Sequence, residues 1–290
     1  TKGSYYEGLT SYKAENCVRI LNPLSADLHV MRQTLLFNAL EAIELNINHR
    51  NADLKLFELG NCYFFHPEVE AGENPLARYS ESYRIAIAVT GQDATPSWNV
   101  KAAKASFYTL RAAVEKLLRR FGIDIYSLRS ESLDSDLYAD AVALMQGNKK
   151  MAEMGVVSPA LMRKFDLKQP VYFAEIDFEL IVRSAKKQRI AVEELSKFPE
   201  VKRDLALLVD KSVTFSELRQ IAFATEKKLL KRVTLFDVYE GDKLPEGKKS
   251  YALGFTLEDK TQTLNDKVIE KTMANLQRQL EARAGAQVRS

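Results

Sequence analysis

The sequence predicts an α+β protein: an antiparallel sheet flanked by helices, followed by a ferredoxin-like βαββαβ unit. Three observations carry this. The last third reads strand, helix, strand, strand, helix, strand, an order that puts both helices on one face of a sheet and leaves the other open. The first two thirds hold many strands joined by turn signals and few helices, which favours antiparallel pairing. The formal charge of +3 is concentrated in the last third, while the remainder is close to neutral. An open face with a basic excess suits a flat partner such as an RNA base. A solvated lysine-rich surface explains the charge equally well.

In chain order, VRILNPLS (18–25) is an extended run with a proline stop. RQTLLFNALEAIELNINHR (32–50) is a helix, with Leu36, Leu40, Ile43 and Ile47 at three- and four-residue spacing. LKLFELGNCYFF (54–65) is a long aromatic strand ended by a charged loop (66–82), and RIAIAVTG (84–91) is a buried strand. SFYTLRAAVEKLLRRFG (106–122) is a helix with Ser106 as N-cap and Gly122 where a left-handed cap belongs. Phe107, Leu110, Val114, Leu117, Leu118 and Phe121 share its apolar face. AVALMQGNKKMAEMGVV (141–157) is a hairpin around Gly147-Asn148, and VYFAEIDFELIV (171–182) is a strand running into a short helix. A charged connector (183–200) separates the halves, giving domains 1–192 and 193–290.

In the second half RDLALLVD (203–210) is the first strand. Thr214 and Glu217 form a capping-box pattern for a helix over 215–230. RVTLFDVYEG (232–241) and KSYALGFTLED (249–259) are the next strands. Asn265 caps the last helix, with Val268, Met273, Leu276 and Leu280 as its apolar stripe. Gly285 ends that helix, and AQVRS forms an edge strand. The first and third strands take the centre of the sheet. Tyr251, Leu253, Phe255 and Leu257 then face the helices, and Ser250, Ala252, Gly254 and Thr256 line the open face.

The bulk numbers bound the class. With 290 residues, 46% hydrophobic and 28% charged, two ordinary domains are expected and disorder is not. No apolar run approaches the ~20 residues of a membrane span. The two cysteines, Cys17 and Cys62, form no disulfide framework and no zinc spacing, which suits a reducing cytoplasm. A start at Thr1 without Met suggests processing or a piece of a longer protein.

Chemistry-bearing side chains are sparse. His29, His49 and His66 lack a metal spacing, and Cys62 reads as a buried inert thiol. Glu175 and Asp177 lie two apart on one strand and fit an acid/base pair, a capped strand end or an interface salt bridge. Alternation cannot bury all of Tyr63, Phe64 and Phe65, so part of that run is expected to meet another subunit. On the open face Phe236 or Tyr239 is a stacking platform, and Lys202, Arg203, Lys248 and Lys249 are phosphate contacts. Arg203-Asp204 also fits a structural ion pair. Lys227, Lys228, Lys231 and Arg232 fit compensation of a helix dipole.

At this point several co-linear motifs resemble one family, the beta subunit of bacterial phenylalanyl-tRNA synthetase. NPLS (22–25), MRQTLL (31–36) and LKLFELG (54–60) are similar to the start of its synthetase-like module. SFYTLRAAVEKLL (106–118) is similar to its central helix, and GVVSPALMRKFDL with VYFAEIDFELI (155–181) to its closing strands. FPEVKRDLALLVD, LFDVYEG, GKKSYALGF and TLND resemble its ferredoxin-fold anticodon-binding domain. Arg111-Ala112 and Ser158 depart from the usual Lys-Gly and His.

The resemblance implies a class II synthetase-like core that has lost its catalytic groups. In register, Phe64 stands where an ATP-binding Arg belongs and His66 where a Glu belongs, and 172–184 contains no Gly for the nucleotide turn. It further implies that a catalytic alpha subunit supplies adenylation in an α2β2 heterotetramer, that the intact enzyme uses ATP and Mg2+, and that tRNA(Phe) is a partner. The resemblance also implies a large upstream part outside this sequence, with the editing function and magnesium carboxylates. The alternative is a free-standing RNA-binding or regulatory module of synthetase ancestry.

Overall fold

The computed structural model describes residues 1–70, 72–186, 194 and 196–289. It divides into two compact units, 1–189 and 190–290. The boundary expected at 192/193 falls outside the described residues.

The first unit opens with short 3-10 turns and the helix α1 (Leu36–Asn48). Long strands β1 (Leu54–Phe65) and β2 (Tyr79–Thr90) follow, then a small ladder of β3 (Gln92–Ala94) with β4 (Ala103–Lys104) that sequence reading missed. Next come α2 (Phe107–Arg120), β5 (Arg129–Ser132), β6 (Tyr138–Gln146), β7 (Lys149–Val157), α3 (Pro159–Lys164), β8 (Val171–Asp177) and α4 (Phe178–Ala185). Six strands form one sheet in the order β1-β2-β8-β7-β6-β5, antiparallel throughout. β1 is therefore an edge.

Both faces of this sheet are buried, as two separate cores. On one face Leu36, Phe37, Leu40 and Ile43 of α1 pack with Tyr6, Leu54, Cys62, Ala86, Ala88 and Phe173. Rings of Tyr5 and Tyr6 lie 5.1 Å from Phe37. On the other face Leu110, Val114 and Leu118 of α2 and Ile181 of α4 pack with Ile85, Val89, Met154, Ala174 and Ile176. Ser106 caps α2 by accepting from the Thr109 amide, and Gly122 follows the helix at φ 74°. The β6–β7 hairpin turns at Gly147, whose φ of 59° favours glycine.

Two boundaries differ from expectation. α1 begins at Leu36 rather than at 32, because Arg32 bonds to Glu58 and the Leu35 amide is held by Glu175. β2 begins five residues before 84, because 79–83 pair with 61–65 and extend the ladder into the expected loop.

The second unit contains β9 (Val201–Asp210), α5 (Phe215–Thr225), β10 (Leu230–Tyr239), β11 (Lys248–Leu257), α6 (Asp266–Ala284) and β12 (Gln287–Val288). The sheet order β10-β11-β9-β12 puts the first and third strands in the centre. Leu207, Val209, Leu253, Phe255 and Leu257 pack with Leu218, Ile221, Ile269, Leu276 and Leu280 of the two helices. Thr214 and Asn265 cap the helices, and Gly285 closes α6 at φ 60°.

Two corrections apply here. α5 stops at Thr225, not 230: Glu226 turns extended and its carboxylate takes the amides of Lys228 and Leu229, freeing Leu230 to pair with Leu257. The apolar stripe of α6 runs through Ile269, Thr272, Leu276, Leu280 and Ala284, while Val268 is 37% exposed.

That register makes a testable contrast. Ile269→Ala should cost about 2–4 kcal/mol in urea unfolding, as a buried truncation that leaves a cavity. Val268→Ala should cost less than about 1 kcal/mol.

Candidate functional site

Two places gather chemistry-bearing side chains, one in each unit. In the first, β2, β7 and β8 meet at a cleft lined by Tyr12, Ser82, Arg84, Lys150, Glu153 and Glu175. Glu175 is buried, and all its acceptors are used. Oε1 accepts from Thr34 Oγ1 (2.8 Å) and the Leu35 amide (2.7 Å). Oε2 accepts from Tyr12 (3.2 Å) and from Arg84, whose guanidinium also donates to Tyr12 (2.9 Å). Glu153, opposite Glu175 in the ladder, accepts from Tyr138 (3.3 Å) and Lys150. Asp177 accepts from the Leu180 amide (2.8 Å) and caps α4. Glu175 is thus an ion-paired hub inside the unit rather than an interface salt bridge, and Asp177 caps the helix that follows its strand.

Electrostatics follows from this closure. Burial pulls the Arg84 pKa down, and the neighbouring Glu175 carboxylate more than reverses it, so the guanidinium stays charged. Burial first, then Glu175, pushes the Tyr12 hydroxyl well above its ordinary range. The Cys62 thiol is pushed up to about 12, mainly by burial, and is inert at neutral pH. Each cation of the cleft already faces a carboxylate, and Asp177 adds a further negative charge. Such a lining repels a triphosphate, so the residues present do not fit ATP. Among the described residues no cluster of three or more His, Cys, Asp or Glu is arranged to hold a metal ion.

The aromatic run of β1 is divided. Phe64 packs at the edge of the α1-side core with the Arg84 guanidinium 5.1 Å over its ring. Phe65 meets Tyr79 at 5.3 Å, and Arg78 lies over it at 4.8 Å. Tyr63 is half-buried, its amide bonded to the Arg32 carbonyl (2.8 Å). All three are thus partly occupied within the unit. The open part of this edge strand lies earlier, at Phe57 (76% exposed) and Leu59 (44%). On the α1 side of the same strand a groove runs between α1 and the sheet, lined by Asn38, Ala39, Ala42, Leu56, Phe57, Glu58, Ala86 and Ala88. Sequence reading missed Phe57. The available signal was an apolar pair, Leu56-Phe57, at successive positions of one strand, where only one side chain can face a given core.

In the second unit the open face carries a shallow depression. Lys202, Asp204, Arg232, Thr234, Phe236 and Gly254 line it, with Thr256 at its end. Ladder register explains the set: Lys202, Thr256 and Arg232 form one row, and Asp204, Gly254 and Thr234 the next. Phe236 is 61% exposed at a β-bulge between Leu235 and Asp237. Tyr239 pairs with Ser250 further along the same strands, outside the depression.

Three sequence-predicted phosphate contacts stand elsewhere. Arg203 pairs with Phe255 in the ladder and so has the parity of the helix face, and its Nη1 donates to the Lys202 carbonyl (2.9 Å). Lys249 has the same parity, is buried, donates to the Lys211 carbonyl (2.7 Å) and lies 4.7 Å over the Tyr251 ring. Lys248 is ion-paired with Asp210 at 3.0 Å at the strand end. Arg232, read as a dipole-compensating residue, sits on β10 instead, because α5 ends early. Lys231 holds Glu200 (2.5 Å) and Glu258 (2.7 Å).

The comparisons with known proteins agree across the chain. The family model described as "Phenylalanyl tRNA synthetase beta chain CLM domain" matches residues 2–178, and "Ferredoxin-fold anticodon binding domain" matches 196–289. The chain is 48% identical over 290 residues to "Phenylalanine--tRNA ligase beta subunit" of Bacteroides fragilis, covering 100% of this chain and 35% of that protein. To the protein of the same name from Porphyromonas gingivalis it is 46% identical with the same coverage. The chain thus spans about a third of the length of the curated relatives it matches. A pyrrolysyl-tRNA synthetase from Desulfitobacterium hafniense superposes with a TM-score of 0.46 at 15% identity, over 63% of this chain and 59% of that one, a likeness too loose to bear on the fold.

The closed cleft generates one prediction. Glu175→Gln should destabilise the first unit by about 3–5 kcal/mol in chemical unfolding, because it leaves the Arg84 charge buried without its partner. The double variant Glu175→Leu/Arg84→Met should recover most of that loss. A single variant that unfolds like the parent protein would refute the hub.

Proposed function

Because the chain belongs to the phenylalanyl-tRNA synthetase beta-chain family, we propose that it serves phenylalanine–tRNA ligase as a docking and RNA-binding part, not as its adenylation site. Residues 1–192 form a synthetase-like core without catalysis of its own, and 193–290 bind the anticodon region of tRNA(Phe). A catalytic alpha subunit joins it in an α2β2 heterotetramer in the cytoplasm. The intact enzyme takes ATP and Mg2+ there to link phenylalanine to its tRNA.

The observation that carries this reading is the contrast between the two sheets. In the first unit the cations of the cleft are neutralised by carboxylates of the same fold. In the second, helices cover one sheet face, and the other presents Lys202 and Arg232 beside the exposed ring of Phe236. Cations with an adjacent aromatic are what single-stranded RNA binds, through phosphate attraction and base stacking. For the docking role the support is the β1 edge, where Phe57 and Leu59 lie open on one face of the strand and a mostly apolar groove, with Asn38 and Glu58 in its lining, runs along the other. Tyr63, Phe64 and Phe65 remain in the proposed interface as its far end. No helix among the described residues is long and apolar enough to cross a membrane.

Two measurements test the proposal. The 290-residue chain should bind tRNA(Phe) weakly, with affinity falling steeply as salt rises. Replacing Lys202 and Arg232 with Ala should reduce the salt slope by about 2, and Phe236→Ala should cost about 1–3 kcal/mol. Salt-independent binding would count against the reading. Mixed with the alpha subunit, the chain should form a complex by size-exclusion chromatography that Phe57→Asp/Leu59→Asp weakens at least tenfold without altering the unfolding midpoint.

A further inference from the structure

The near-neutral first two thirds of the chain hide one strongly basic segment. Residues 91–120 carry six Lys and Arg against two Asp and Glu, a net of +4 inside a chain whose total is +3. The segment is the β3–β4 hairpin followed directly by α2. Its two acids are already engaged: Asp93 pairs with Lys55 (2.7 Å) and Glu115 with Arg111 (2.8 Å). Among the described residues the five remaining cations, Lys101, Lys104, Lys116, Arg119 and Arg120, form no ion pair, and all are exposed.

Helix stability does not account for them. Arg119 and Arg120 do suit the dipole, in the last turn of α2. Lys104 stands two residues before the cap Ser106, at the positive end, where an acid is favoured and α2 has none in its first turn. Lys116 has Arg119 and Arg120 three and four residues on, a like-charge spacing that weakens a helix. Two rings accompany the cations. Tyr108, Ala112, Lys116 and Arg120 follow one another at four-residue spacing on the outer face of α2, away from buried Leu110, Val114 and Leu118. Tyr108 is 77% exposed yet braced edge-on by Phe107, with ring centroids 6.0 Å apart, and small Ala112 leaves the space beyond it open. Trp98 is 96% exposed at the hairpin tip. Ser97 and Val100 exchange backbone hydrogen bonds around it (3.0 and 3.4 Å), so the turn is closed on itself. The root of the hairpin is tied down, with the Gln92 amide on Asp53 (2.8 Å) and the Ala105 amide on the Gly91 carbonyl (2.9 Å).

We propose that the β3–β4 hairpin and the outer face of α2 form a second RNA-binding surface, which holds the sugar–phosphate backbone of tRNA outside its anticodon arm. The proposal rests on the reading of the chain as a part of phenylalanine–tRNA ligase, and it adds a contact that does not involve residues 193–290. Cations without partners attract phosphates, and α2 gives them a track about 20 Å long over its 14 residues. Trp98 and Tyr108 offer flat faces to bases that pairing leaves free. The contacts fall on the backbone, so they position the RNA and read no sequence. An acidic protein answers the charge equally, but protein interfaces centre on clustered apolar side chains. Here no ring contact joins Trp98 to Tyr108 among the described residues.

The test compares two RNAs on the whole chain: a full tRNA(Phe) transcript and a hairpin of its anticodon arm alone, with binding read by fluorescence anisotropy over a salt series. The parent protein should bind the transcript at least about tenfold more tightly than the hairpin, and with the steeper salt slope. Lys104→Ala/Lys116→Ala/Arg120→Ala should remove most of that advantage and lower the slope for the transcript by about 3, with the hairpin unchanged. Trp98→Ala should weaken the transcript at least about fivefold, the lower end for one lost stacked base. All four side chains are exposed, so unfolding midpoints should stay at the parent's value. A triple variant that keeps the parent's affinity and slope for the transcript, or weakens transcript and hairpin by one common factor, overturns the surface while the anticodon reading stands. Poly-glutamate that competes as well as the transcript, with Trp98→Ala still binding the transcript like the parent, assigns the face to an acidic protein and overturns it too. A parent protein that binds neither RNA above background removes both.

Discussion

The first unit depends on one buried carboxylate. Glu175 lies on β8, yet its four donors come from three other places: Tyr12 of the opening segment, Thr34 and Leu35 at the start of α1, and Arg84 of β2. The Leu35 amide precedes a helix whose first N–H groups have no partner of their own, so the carboxylate also acts as that helix's cap. One side chain thereby fastens the opening segment, α1 and two strands together. A buried ion pair gains little over well-packed apolar residues, so net stability is a weak account of its presence. Its consequence for function is more direct. The charge that could have gripped a substrate phosphate is consumed inside the fold.

The second unit solves the opposite problem. Both helices lie on one face of its sheet, so the other face must live in water without exposing a core. Small residues meet that condition. Ala206, Ala252 and Gly254 line the central strands there, with Ser250 and Thr256 tucked among their neighbours. A sheet surface of small side chains with larger ones at the rim is a shallow dish, suited to something flat. Backbone bonds along β9, β10 and β11 hold it rigid, so little ordering is needed when a ligand arrives.

Much of this was legible in the sequence because local chemistry decided it. Ser106, Thr214 and Asn265 cap their helices because their side chains reach amides two or three residues on, a short-range event. The turn at Gly147 and the ends at Gly122 and Gly285 follow from a left-handed backbone that favours glycine. What failed was decided by distant partners. α5 ends early because Leu230 pairs with Leu257, 27 positions away. Val268 and Ile269 are equally apolar, and only the packing against the sheet selects between them. Arg203 and Lys249 look like surface cations, but register gives both the parity of the helix face. The resemblance to one family supplied the order of domains but not these pairings.

The bulge on β10 shows how such a pairing shapes the surface. Leu235 pairs with Leu253 on the helix side, so strict alternation would send Phe236 to the open side and Asp237 back toward the core. A charged carboxylate without a partner would be costly there. The register shift between Leu235 and Asp237 instead sets Asp237 opposite Ala252, on the open side, and returns Val238 to pair with Tyr251 on the helix side. Phe236 is the extra residue and stays in the open, lining the depression beside Gly254. One inserted position therefore keeps an acid out of the core and leaves an aromatic ring exposed where a base could stack. Deleting it would pull Asp237 inward and move the ring together, so the stability of this sheet and the shape of its open face are set by the same local irregularity.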